Sequence, residues 1–289
     1  MKRTHLLPAI LLLCLQACVA LDQVRTFSKY ACGILISIND LDYSFKGSYL
    51  KYTLPGKEFQ FEKSDPLIKP TADTAELRRA SDADATIALF TNCLSAYFAG
   101  LGQLADPATG ATDYSKLGDA LKGNAPVMAR LHLDAGQVEA AVSLAHVFTD
   151  ALTRHYKEQQ LKEIILADSA AVRKVIDALS TSLGILQDNI VSDQGILFAK
   201  YHPLMKLQID AGVKIFFVRE YHTEYSVLEQ KLHAITSQRQ GLEALKKAHQ
   251  EIADKLKDNK LSAAELVKSV EQYSAQLQTI YNDIKKVSK

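Results

Sequence analysis

A mainly α fold, an elongated antiparallel helical bundle with a long coiled-coil-like hairpin at its carboxy terminus, follows from three features of the 289-residue chain. Apolar residues recur at spacings of three and four over most of its length, which lines one face of a helix after another. Helix breakers are scarce: there are 13 glycines and 7 prolines, and only Pro203 interrupts after Pro126. The last segment repeats Leu266, Val270, Tyr273, Leu277, Ile280, Ile284 and Val287, the 4-3 seam of a helix that packs along a partner.

In chain order, Val24, Phe27, Ala31, Ile34, Ile38, Leu41 and Phe45 predict a first helix. Residues 47–72 change character, and within them Tyr52/Leu54 and Phe59/Phe61 alternate about Pro55-Gly56, so the stretch 50–62 reads as a short β-hairpin or an extended loop. Asp73 and Glu76 predict the cap of a second helix that runs to Leu101. Residues 106–126 form a linker. Asp134 and Gln137 predict the next cap, for a helix ending near residue 167. Ser169 opens another, and Pro203 fits the first turn of the one after it. From Leu207 to Leu256 a near-heptad pattern continues, broken around Arg239, Lys246 and His249, where the side chains either snorkel or leave a stretch open to a partner. Asp258-Asn259-Lys260 reads as a turn, and Ser262/Glu265 as a capping box. The division is then a signal peptide (1–17), a bundle (18–203) and a helical hairpin (204–289). With such a hairpin Ile284 lies near Ile235 and Leu242. The amino-terminal half of the penultimate helix packs on earlier helices, and the turn end protrudes.

Hydrophobic residues at 47% and charged residues at 23% exclude a disordered chain and a multi-span membrane protein. The 34 basic residues fall to 32 once Lys2 and Arg3 are removed with the leader, against 33 acidic ones. Such a balance offers no electrostatic footprint for nucleic acid.

The amino terminus has the form of a secretion signal. Lys2 and Arg3 precede the apolar run Leu6–Leu15, which is too short to cross a bilayer core of ~30 Å. Leu15-Gln16-Ala17-Cys18 then resembles the lipobox of bacterial lipoproteins, although Gln16 departs from the usual small or β-branched residue. The resemblance implies cleavage before Cys18, diacylglycerol on its thiol and an acylated amine, hence a lipid bilayer as the first partner. Val19 at the next position implies the periplasmic leaflet of the outer membrane. The alternative is ordinary cleavage after Ala20 and a protein free in the periplasm.

With Cys14 removed and Cys18 lipidated, Cys32 and Cys93 are left. In an oxidising compartment they either form a disulfide, worth about 4 kcal/mol for a loop of roughly 60 residues, or stay as two buried thiols. Catalytic and metal motifs are missing. No nucleophile elbow or phosphate loop occurs, and Glu229/His233 and His155/Glu158 are incomplete halves of a metal site. No cofactor, metal ligand or catalytic residue is assigned. Beyond the lipobox, the general look is similar to that of uncharacterised proteobacterial helical lipoproteins. The expectation is an envelope-tethered, non-enzymatic scaffold or adaptor that binds a protein partner or an envelope component. The alternatives are an immunity-type lipoprotein neutralising a periplasmic toxin, or a small-ligand carrier or enzyme with a site between helices.

Overall fold

The computed structural model describes residues 6–54, 73–106, 131, 133–151, 157–207, 210–257 and 263–287. They form α1 (Leu6–Asn39), α2 (Phe45–Ser48) continuing into a π-helical turn (Tyr49–Thr53), α3 (Thr74–Ala105), α4 (Ala135–Ala151), α5 (Lys157–Lys206), α6 (Ala211–Lys257) and α7 (Ala263–Val287). The chain is a mainly α bundle, and no strand occurs among the described residues.

The caps show why the helices start where they do. The Asp73 carboxylate accepts the backbone N–H groups of Ala75 (2.9 Å) and Glu76 (3.3 Å) and so opens α3. Asp134 and Gln137 form a reciprocal box: Asp134 Oδ1 accepts the Gln137 N–H at 2.8 Å, and Gln137 Oε1 accepts the Asp134 N–H at 2.9 Å. At α6, Asp210 Oδ1 accepts the Gly212 N–H at 2.7 Å.

α5 and α6 form an antiparallel hairpin whose register is fixed by polar pairs. Tyr201 donates to Glu224 (2.9 Å), Arg239 to Gln187 (2.7 Å) and Lys246 to Asp177 (2.8 Å), while Ser169 donates to Gln250 (3.3 Å). α1 runs antiparallel to α6. Lys231 meets Asp42 at 3.0 Å, Gln238 donates to the Ser37 carbonyl at 2.7 Å, and a Cβ on Gly241 would sit 3.0 Å from Ile34. α7 closes the bundle over both. Tyr273 donates to Glu251 and Lys255 donates to Ser269 at 2.5 Å. Ile284 meets Gly241, one residue from Leu242, which is the register read from the 4-3 seam. α3 packs on α1 and α5, α4 packs on α3 and α5, and the aromatic centre of the core is Phe27, Phe90, Tyr97 and Phe98.

Several expectations are corrected. The 50–62 segment is helical as far as Leu54, so the first limb of a β-hairpin does not form; residues 55–62 lie outside the described residues. α5 passes through Ser169 without a break, because that side chain is buried against Gln250 of α6 instead of capping a new helix. Pro203 sits in the last turn of α5, and the chain turns only after Lys206. The positions of Arg239, Lys246 and His249 are not open: Arg239 and Lys246 reach α5, and His249 is fully buried.

The protruding end is also reversed. Of α6, the stretch Leu228–Ala253 is the buried part, gripped by α1, α5 and α7, whereas its first turns are exposed. Periodicity counted Ile215 and Val218 as seam residues, but the neighbours that would cover them are at the other end of the helix.

Candidate functional site

Four places in the molecule carry unusual chemistry. The first is the tip of the α5–α6 hairpin. At and past the Tyr201–Tyr221 contact (ring centroids 6.1 Å apart) large apolar side chains stand in solvent: Phe198, beside Tyr221, is 51% exposed, and further out Leu207 is 50%, Ile215 67% and Phe216 49% exposed, with Val213 and Val218 also exposed. Most of the exposed large apolar residues of the described chain gather here. A contiguous exposed patch of this kind marks an interaction surface in a folded protein.

The second is a cleft of about 320 Å³ between the segment Leu41–Tyr52 and the Val227–Lys231 stretch of α6. Its wall hides a polar cluster. Asp193 of α5 is buried and accepts a hydrogen bond from the Tyr43 hydroxyl at 2.7 Å, while Asn189 donates to Tyr43 (2.7 Å) and to Ser48 (2.6 Å). Burial raises the Asp193 carboxyl above the usual range, and the hydrogen bonds from Tyr43 and Ser48 and the charge of Lys51 oppose that rise. The rim cations are engaged as well, Lys231 by Asp42 and Lys51 by Glu224 at 3.8 Å. The cluster straps the 40–54 segment to α5 and offers no activated nucleophile.

The third is the buried pair Tyr97 and His249, whose Oη and Nε2 atoms lie 2.9 Å apart, with Phe98 edge-on to the imidazole. Complete burial lowers the His249 pKa to about 4, so the ring is neutral at physiological pH. Asp168, near Tyr97, is pushed up to about 6 by partial burial.

The fourth is the cysteine pair. The predicted disulfide does not form: Cys32 and Cys93 are both free thiols. Cys32 donates to the Ser95 carbonyl at 3.6 Å. Cys93 is two residues from Ser95, roughly 200° around α3, so its thiol faces a different side of the helix. Burial pushes both thiols up to about 12, which leaves them protonated and poorly reactive. Cys18 lies within α1, and its side chain is outside the described residues. Among the described residues no three His, Cys, Asp or Glu side chains are grouped as metal ligands.

The sequence pointed to Cys18, Cys32 and Cys93. It missed Asp193, Asn189 and Tyr43, which come from distant segments with no local signature. The run Ile215-Phe216-Phe217-Val218 was the available signal for the tip, since four consecutive apolar residues cannot all face one neighbour. Comparison with protein-family models, curated proteins and solved structures finds no match, so function is argued from the chain's own residues and geometry.

Proposed function

We propose that this protein is an envelope-tethered, non-enzymatic helical lipoprotein, a scaffold or adaptor anchored by acylated Cys18 in the outer membrane. It engages an envelope component through the α5–α6 tip. The observation that carries this reading is the gathering, at one end of the bundle, of most of the exposed large apolar side chains among the described residues. The lipobox-like Leu15-Gln16-Ala17-Cys18 supplies the anchor.

Geometry supports a division of labour between the two ends. α1 and α6 run antiparallel through the Ser37–Gln238 contact, so they leave it in opposite directions towards Cys18 and towards Ala211. At 1.5 Å per residue the first path is about 30 Å and the second about 40 Å, which separates anchor and tip by about 70 Å. Two or three acyl chains hold a protein persistently at a bilayer, whereas one is marginal.

Radiolabelled fatty acid is expected in the wild type and not in Cys18→Ser, and the wild type should float with membranes. A soluble protein whose amino terminus is Leu21 would replace the tethered reading with ordinary cleavage. For the tip, a photocrosslinking residue at position 216 should give adducts in intact envelopes that the same residue at position 279 does not.

A further inference from the structure

We infer that the tip of the α5–α6 hairpin inserts into the interfacial region of an anionic phospholipid bilayer, with Val213, Ile215, Phe216 and Val218 among the acyl chains. This deepens the proposed role by naming the component engaged. It rests on that reading only for the envelope setting.

The argument is the angular spread of the exposed residues. At about 100° per residue, Val218, Ile215, Phe216 and Val213 sweep roughly 220° of the α6 circumference. The remaining face is the one held by α5, through Phe217, Tyr221 and Leu228. A docking protein or a second copy covers one side of a helix and would leave part of this arc in water. Hydrocarbon surrounds an immersed tip on every free side. A helix end whose free arc is largely apolar belongs in a core or in lipid, and among the described residues no core covers this one.

Charge supports the same occupant. Lys206, Lys214 and Arg219 stand around the apolar cluster, and no ion pair to any of them is formed among the described residues. Against these three cations stand two carboxylates, Asp210, which caps α6, and Glu220, so the tip carries an excess of one positive charge. Long cationic side chains place their stems along buried apolar surface and their charges at phosphate level. Phe198 and Tyr221, in edge contact at 6.5 Å, bring an aromatic pair to the same depth.

The chain has no tryptophan, so a single introduced indole reports its own surroundings. The full chain carrying Phe216→Trp is bound to vesicles of phosphatidylethanolamine and phosphatidylglycerol that contain a brominated phospholipid. Emission is read on the vesicle-bound fraction. The expected result is a blue shift and about twofold or greater quenching at position 216, with none for Thr279→Trp, exposed on α7. Adding Ile215→Asp and Val218→Asp to Phe216→Trp should keep the helix content and abolish the quenching, because both sites are exposed in water. Quenching should persist in Cys18→Ser, so loss of the tether and loss of insertion are separate results.

Protein that stays off the vesicles, an unquenched residue 216, or equal quenching at 216 and 279 would overturn the inference. So would quenching that survives the two aspartates or vanishes in Cys18→Ser. Blue emission without lipid that grows with protein concentration would assign the tip to a second copy. The same emission at every dilution would assign it to the chain's own segment 55–72.

Discussion

His249 is the residue at which solvent conditions reach the core. Its pKa is about 6.5 in the unfolded chain and about 4 in the fold, so the neutral ring is required. Its contribution to stability is complete above pH 6.5 and is lost as pH falls towards 4, about 3 kcal/mol in all. Asp168 acts in the opposite sense. Its folded pKa of about 6 lies above the unfolded 3.8, so its ionisation costs stability as pH rises through that window. Because Asp168 is partly solvated, it offsets only part of the histidine contribution. Asp168→Asn should therefore raise stability at pH 7 and steepen its decline between pH 6.5 and 4 in urea titrations. An unchanged pH profile would show that the two groups do not face the environments described. Gly241 is the steric counterpart. A Cβ there would lie 3.0 Å from Ile34 of α1 and 3.4 Å from Ile280 of α7, so three helices meet where one side chain is missing. Gly241→Leu should lower stability by about 1–3 kcal/mol through overpacking, even though leucine favours helix. A melting temperature equal to wild type would mean that the helices do not converge at this point.

Among the elements, α7 shows how far periodicity carries. Its 4-3 repeat predicted both the helix and its register along α6, and Ile284 does meet Gly241 beside Leu242. The repeat could not reveal that α1 shares the same seam, with Tyr281 lying where a Cβ on Gly33 would come within 2.8 Å. A heptad specifies that a helix has a partner and does not count the partners. Leu277→Asp, which places a charge at a position 1% exposed, should therefore do more than free one arm of a hairpin. It should destabilise α1, α6 and α7 together by about 3–5 kcal/mol. Circular dichroism should show a loss of helix larger than the 25 residues of α7. A loss confined to α7 would restore the picture of a separable hairpin. The boundaries at Ser169 and Pro203 were misplaced for a related reason. Serine and proline are both compatible with a helix start, but Ser169 is consumed by a contact to Gln250, and a proline in a last turn disturbs few hydrogen bonds. At the tip, Ile215 and Val218 have the spacing of seam residues, and spacing carries no sign of whether a neighbour lies there. Only the tertiary arrangement shows that the neighbours lie elsewhere.

At the scale of the molecule, the site proposed for binding and the site proposed for anchoring belong to different helices that share one contact region, where Ser37, Gln238, Ile34 and Gly241 meet. α1 is one unbroken helix from Leu6 to Asn39, so only about two and a half turns separate Cys18 from Phe27, the first fully buried apolar side chain of the described core. With Cys18 as the proposed anchor, the leash would be a strut and not a string. A string lets a tethered body tumble and sample a volume, whereas a strut confines the far end to a shell about 70 Å from the anchor. Its posture is then set by a single angle at the membrane, and a tilt of about 10° there swings the tip by about 12 Å. With the tip in the same bilayer as the acyl chains, the body must lie along the surface like a fallen mast. With the tip in an opposing bilayer, the same rigidity makes it a spacer.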